Sequence, residues 1–196
     1  MLFSDIKKHL SMFRVGIAGA GGLGSNCAAA LARSGVGTLV IADYDTVEEV
    51  NLNRQFYFIN QVGMVKVIAL KKNLEQINPG IRVIVHEAIL DNENIPDIFM
   101  DCDVIIEAFD RAEMKEMIAE TVMLRMPGTP LIIGSGMAGW GNNETIKSRK
   151  IDENLFICGD ESTEASDENP PMAPRVGIVA NMQANIAVDL LMKMKR

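Results

Sequence analysis

Cysteine is scarce. The 196 residues hold three, Cys27, Cys102 and Cys158, far apart and odd in number. They form no C-x-x-C pair, which argues against a disulfide scaffold and leaves no zinc-site spacing. No apolar run reaches the roughly 18 residues of a membrane span. The start, "MLFSDIKKHLSMF", has neither an unbroken apolar core nor a small-residue cleavage site, so no signal peptide is expected. Positive charge is short as well. A net charge of −7 and a pI near 4.9 argue against a nucleic-acid or membrane-surface binder, because such partners reward a basic face. Histidine is nearly missing, with only His9 and His86. The sparse cysteines and the lack of signal and membrane segments point to a reducing cytoplasm. The length fits one domain able to bury a core.

What is present alternates. An amphipathic helix over 2–13 leads to an apolar strand, "RVGIAGA" (14–20), and an alanine-rich helix over 24–35 that stops at Gly35. A second strand, "TLVIAD" (38–43), precedes a helix over 64–77 ended by "NPG". Further strands fall at 81–88, 103–109 and 130–136, with helices at 95–100 and 111–124 between them. Strand and helix taking turns predict an α/β fold, Rossmann-like, with a mostly parallel sheet flanked by helices. Residues 152–174, acidic and with a double proline, read as a long loop, and 175–196 as a C-terminal helix whose basic end suits its dipole. The whole reads as a single domain, with the nucleotide-binding core over 14–150.

The loop "GAGGLG" sets Gly19, Gly21 and Gly24 in G-x-G-x-x-G register between a predicted strand and a predicted helix. Gly19 suits the tight turn. Gly21 and Gly22 let a phosphate or ribose approach bare backbone, and Gly24 permits close helix–strand packing. Asp43, about 20 residues further on at the end of the second strand, is placed to accept ribose hydroxyls, ahead of Asp45 two residues into the loop. This loop alone does not choose between NAD and ATP.

Beyond it lies "NLNRQFYFINQVGMVKV" (51–67). Singly, Arg54 is a loop cation and Lys66 a helix-surface lysine. A dehydrogenase has no general use for the two together, whereas a nucleoside triphosphate does, because they would neutralise charge passing to a departing pyrophosphate. Asn51 and Gln55 add amide groups beside them. Asp110, just past a buried strand, stands at the carboxyl edge where such sheets bind ligands. It is suited to hold Mg²⁺ together with substrate phosphates, or to cap the next helix.

The set "GAGGLGSN", "GVGTLVIADYDTVEEVNLNRQ", "VGMVK" and "DVIIEAFD" resembles the ThiF/MoeB/HesA family of ubiquitin-activating-like adenylyltransferases, over nearly the whole chain. "SGMAGWG", "RKI…LFICGD" and "MAPRVGIVANMQAN" look like the short form of ThiF in bacterial thiamine synthesis. The resemblance implies an enzyme that uses ATP and Mg²⁺ to adenylate the C-terminal glycine of a small ubiquitin-fold sulfur carrier, ThiS-like and ending in Gly-Gly. It also implies a homodimer. The family's nucleotide contacts fall on Gly22, Asp43, Asn51, Asn53, Arg54, Lys66 and Asp110. Catalysis would then rest on Arg54, Lys66 and Asp110, with Asp110 the metal ligand. No general base is needed, because the attacking carboxylate is ionised at neutral pH.

There are departures from the family pattern. Many relatives carry paired C-x-x-C motifs for structural zinc, and none is expected here. An N-terminal arginine that reaches the partner's site in many relatives has no counterpart, leaving Lys7 or Lys8 as substitutes or as a solvated helix face. The usual asparagine after the aspartate is Arg111, which touches the triphosphate or caps a surface. Cys158 reads as a buried thiol, although some relatives use a cysteine in this region for sulfur transfer. Trp140 and Phe156 flank the segment where a carrier's tail would lie, and the glycine-rich "SGMAGWG" suits either the passage of a Gly-Gly tail or a plain β-turn with an exposed or half-buried tryptophan. Three other readings stay open: an NAD-dependent oxidoreductase, a nucleotide-binding module without catalysis, and a family member serving the carrier of molybdopterin synthesis or a tRNA-linked one.

Overall fold

The computed structural model describes residues 2–195, so Met1 and Arg196 lie outside the described residues. Seven strands form one sheet: β1 (Arg14–Ala18), β2 (Thr38–Ala42), β3 (Arg82–His86), β4 (Val104–Glu107), β5 (Leu131–Gly134), β6 (Lys147–Lys150) and β7 (Leu155–Gly159). Their order is β3-β2-β1-β4-β5-β7-β6. Neighbours run parallel except β6, which lies antiparallel on β7. The helices are α1 (Phe3–Leu10), α2 (Gly22–Ser34), α3 (Lys66–Ile77), α4 (Asn94–Phe99), α5 (Ala112–Arg125) and α6 (Ala173–Lys193). The fold is the Rossmann-like α/β arrangement expected from the alternation.

Period-two alternation sorts the strand side chains onto two apolar layers. Val15, Ile17, Leu39, Ile41, Val104 and Ile106 join Leu31, Leu70 and Val179 of α2, α3 and α6. Ala18, Val40, Ala42 and Ile105 join Ile95, Phe99, Ile118 and Val122 of α4 and α5. Burial on both faces explains why these strands read as continuous apolar runs. The glycine stop of α2 is as expected: Gly35 takes a left-handed conformation, and its N–H bonds Leu31 and Ala32.

The segment read as an unbroken loop over 152–174 needs correction. Residues Leu155–Gly159 form β7, inserted between β5 and β6, and the irregular chain runs only from 160 to 172. The acidic flanks and double proline masked a short strand, "LFICG". Its partner β6, "KSRK", is exposed at all four positions, and a charged edge strand gives no hydrophobic signal. α6 begins two residues before the expected 175, with Pro174 in its first turn, and ends at Lys193.

β1 has β2 on one side and β4 on the other, so successive strands leave it in opposite directions. The crevice beyond the carboxyl ends of β1 and β4 is the topological switch point, where sheets of this kind bind ligands.

Candidate functional site

A cleft of about 1140 Å³ opens at that switch point. Its walls come from the loop after β1, the ends of β2, β4 and β5, the 54–66 segment, and the irregular chain after β7.

The glycine loop is closed by short-range geometry. Gly19 has a φ of +104°, and its N–H donates to the carbonyl of Ala42 at 2.8 Å. A Cβ on Gly24 would lie 1.9 Å from the Gly19 carbonyl oxygen, so α2 can start this close to the turn only without one. Gly24→Ala is therefore expected to cost at least about 2 kcal/mol, read as a fall in thermal midpoint. A midpoint equal to the parent's would contradict this packing. By contrast, a Cβ on Gly21 would meet nothing nearer than Gln55 Nε2 at 3.9 Å, which leaves that position open to the cleft.

Asp43 is part of the loop's own structure. Its Oδ2 accepts the Ala20 N–H at 2.6 Å and its Oδ1 the Asp45 N–H at 2.8 Å, so it pins the glycine loop. Tyr57 holds the same residue from the other side, its hydroxyl donating to the Ala20 carbonyl at 2.7 Å. Burial, with the charges of Asp43 and Asp45, pushes the Tyr57 phenol up and keeps it a donor.

Lys66, the first residue of α3, is 6% exposed, and its Nζ pairs with Asp45 Oδ2 at 2.8 Å. Lys66 therefore reaches the cleft wall already paired, not as the surface lysine it resembles in isolation. Arg54 also lines the cleft. Its stem lies over Gly22, and its guanidinium donates to Asn53 Oδ1 at 2.8 Å. Gln55 is buried with Oε1 unpartnered among the described residues. Asn51 and Asn53 do not line the cleft. The Asn51 carbonyl accepts the N–H groups of Arg54 and Gln55, and the exposed Asn53 side chain accepts from the Arg54 guanidinium.

Asp110 and Arg111 both line the cleft and are exposed. Arg111, not Asp110, occupies the N-cap of α5, and its side chain makes no cap bond. Asp110 has no protein partner among the described residues, so its carboxylate is free for a ligand. Arg111 pairs only loosely with Glu113, at 3.5 Å.

Beneath that turn lies a pair the sequence reading missed. Glu107, fully buried, accepts from Lys115 Nζ at 2.9 and 3.0 Å, from Phe109 N at 2.5 Å and from Gly134 N at 3.3 Å. Lys115 Nζ also donates to the Gly134 carbonyl at 2.7 Å. Burial pushes the Glu107 carboxyl up, while Lys115 and the two N–H groups oppose the rise. A charge ending the apolar run "VIIE" was the available signal.

The wall after β7 is tied down by a second buried pair. Asp160 binds Arg175 of α6 and accepts from Ser162 N and Thr163 N at 2.9 and 2.8 Å. Burial raises the Asp160 carboxyl, but the hydrogen bonds of Thr163 and Ser162 outweigh it and hold it below its ordinary value. Arg175 also donates to the Gly141 carbonyl at 2.6 Å. Beside that turn Trp140 is 69% exposed. Phe156 packs against the core, and neither aromatic lines the cleft.

Cys158 is buried in β7, and desolvation pushes its thiol up to about 12, which makes it a poor nucleophile as folded. The stem of Lys7 covers Gly35 at the far end of α2, on the opposite edge of the sheet from the cleft of its own chain. Among the described residues there is no group of three or more His, Cys, Asp or Glu that could hold a metal, and no helix long and apolar enough to cross a membrane.

A model of the ThiF family matches residues 2–196. The molybdopterin-synthase adenylyltransferase of Haemophilus influenzae is 30% identical over 201 residues, covering 96% of this chain and 79% of that protein. The adenylyltransferase and sulfurtransferase MOCS3 of Caenorhabditis briggsae is 32% identical over 185 residues, and this chain spans only 45% of its length. Other adenylyltransferase/sulfurtransferase relatives are also much longer than the matched region, which covers 26% and 33% of them. In structure the chain is similar to the tRNA N6-threonylcarbamoyladenosine dehydratase TcdA of E. coli in complex with ATP. The TM-score is 0.85 at 19% identity, covering 96% of this chain and 89% of that one, a likeness of fold.

Proposed function

The chain belongs to the ThiF family, and from that premise we propose that it is an ATP-dependent adenylyltransferase that activates the C-terminal carboxylate of a small ubiquitin-fold sulfur carrier. One observation carries the reading. Gly21, Gly22, Asp43, Arg54, Gln55, Lys66 and Asp110 line a single cleft at the switch point of the sheet. An NAD-dependent oxidoreductase would leave Arg54, Lys66 and Asp110 without a purpose.

The cleft suits ATP on its own chemistry. Open backbone at Gly21 admits a phosphate or ribose, and the orphaned Gln55 Oε1 accepts a hydroxyl or amino hydrogen. Arg54 and Lys66 supply positive charge for the phosphates. The unpartnered Asp110 carboxylate fits Mg²⁺, an ion that takes one or two carboxylates along with substrate phosphates. When bound, the ion would neutralise phosphate charge as the α-phosphorus is attacked.

A carboxylate oxygen of the carrier attacks the α-phosphorus. The bond to the bridging oxygen breaks, and pyrophosphate leaves with its electron pair. No residue removes a proton, since the nucleophile is already ionised. Both histidines lie off the cleft lining, and His9 bonds the Leu191 carbonyl at 2.9 Å. Arg54 and Lys66 hold the phosphates as charge moves onto the leaving group.

The finer reading is a ThiS-like carrier of thiamine synthesis, a homodimer and a cytoplasmic enzyme. The carrier rests on "SGMAGWG", "LFICGD" and "MAPRVGIVANMQAN", the homodimer on the family resemblance, and the cytoplasm on the sparse, unpaired cysteines. The Haemophilus relative, named for molybdopterin synthase, supports the carrier of that route as the second reading. The deciding measurement is ATP–pyrophosphate exchange with Mg²⁺ and either carrier, each with its Gly-Gly end intact or removed. Exchange is expected only with an intact end, and faster with the ThiS-like carrier. Tight ATP binding without exchange would leave a non-catalytic module, and tighter binding of NAD than of ATP would overturn the reading.

A further inference from the structure

The first turn of α2 carries two polar side chains with no part in the chemistry above, Ser25 and Asn26. Ser25 is wholly buried; its hydroxyl donates to the Gly21 carbonyl at 2.6 Å and accepts the Phe56 N–H at 2.9 Å. Asn26 Nδ2 donates to the Gly22 carbonyl at 2.7 Å and to the Arg54 carbonyl at 2.8 Å. An amide nitrogen has two hydrogens, and these bonds use both. The flipped amide would set its oxygen against two carbonyl oxygens, so the orientation is fixed.

The bond to Gly22 is an ordinary back-bond along a helix. The bond to Arg54 crosses 28 residues and serves no helix. Arg54 needs such support. Among the described residues its guanidinium has only the exposed Asn53 side chain as partner, so nothing rigid aims it from the far end. What is held is its near end: the carbonyl by Asn26, the Phe56 N–H two residues on by Ser25, and the side-chain stem against Gly22 of the same helix.

We propose that Asn26 is a positioning residue for Arg54, fixing the guanidinium to the same helix turn that carries the glycine loop. The proposal rests on the adenylyltransferase reading above. Its consequence is that the cationic and backbone halves of the phosphate site move as one body.

The test is a double-mutant cycle of Asn26→Ala and Arg54→Ala, read by the ATP–Mg²⁺ dissociation constant in calorimetry and by the kcat of pyrophosphate exchange. Calorimetry still reports on inactive variants. With Arg54 present, Asn26→Ala is expected to weaken ATP binding about 10-fold and lower kcat by about 10- to 100-fold, the scale of a misplaced group. In the Arg54→Ala background it should weaken binding by less than about 2-fold, because only coupled residues give non-additive effects. Asn26→Asp keeps the shape but presents an acceptor where donors are needed, so it should lose at least as much as alanine. That variant guards against a cavity effect. Equal weakening in both backgrounds, or parental binding in Asn26→Asp, would overturn the positioning role while leaving the enzyme reading intact. If Arg54→Ala alone changes neither binding nor exchange, the triphosphate role of Arg54 and the positioning role fall together.

Discussion

Arg54→Ala should lower carrier-dependent pyrophosphate exchange on the order of 10³-fold, while the thermal midpoint stays close to the parent's. The two halves of this expectation have separate causes. Among the described residues the guanidinium holds only an exposed asparagine, and such a hydrogen bond contributes on the order of 1 kcal/mol to stability. In the reaction the same group faces phosphates whose charge rises as pyrophosphate departs. Arginines in that position contribute roughly 10³ to 10⁵ in rate in other phosphoryl-transfer sites. Most of the loss belongs in kcat, because the interaction strengthens as charge moves. Arg54→Lys retains a positive charge but lacks the planar fork, so it should fall between parent and alanine. Turnover of Arg54→Ala within about 3-fold of the parent would remove Arg54 from the phosphate site.

How much of this was legible depends on whether a feature is local. "GAGGLG", the Arg54–Gln55 pair of "NLNRQ" and the aspartate after "VIIEAF" reach the cleft because a turn, a loop and a strand end each place their own side chains, whereas Asn51 and Asn53 do not line it. The wall that closes the cleft was not legible. β7 is held by β5 on one side and a wholly exposed, polar β6 on the other, pairings that no short window reveals. Partners were hidden for the same reason. Lys66 reads as a surface lysine until Asp45, 21 residues away, is brought to it. Asn26 reads as a helix residue until Arg54 arrives. Asp43 was readable as a polar group at the strand end, yet its bonds to Ala20 and Asp45 show it also building the loop.

The buried pair under the Asp110 turn makes the largest stability claim. Lys115→Met is expected to destabilise the fold by about 3–5 kcal/mol at pH 8, the usual cost of leaving a buried charge without its partner. Glu107 is 0% exposed and Lys115 is 21% exposed, so solvent screens the pair little. The pH dependence follows from the direction of the shift. Burial raises the Glu107 carboxyl above its unfolded value, so this group contributes stability that is fully present below that value and is lost as pH rises through the folded one. Lys115 opposes the rise. Without it the carboxyl climbs further, and more stability is lost on going from acid to neutral pH. The deficit of Lys115→Met relative to the parent should therefore shrink as pH falls and Glu107 takes up its proton, and be larger at pH 8 than at pH 5. Adding Glu107→Gln should flatten that difference, since no charge remains to strand. Thermal melts of the three proteins at both pH values decide it, and a deficit of equal size at pH 5 and pH 8 would mean that Lys115 supports the turn by packing, not by charge. The pair also links β4, β5 and α5 at the point where Asp110 leaves the sheet. A loss of this size would reach the cleft through the loop that presents the Asp110 carboxylate.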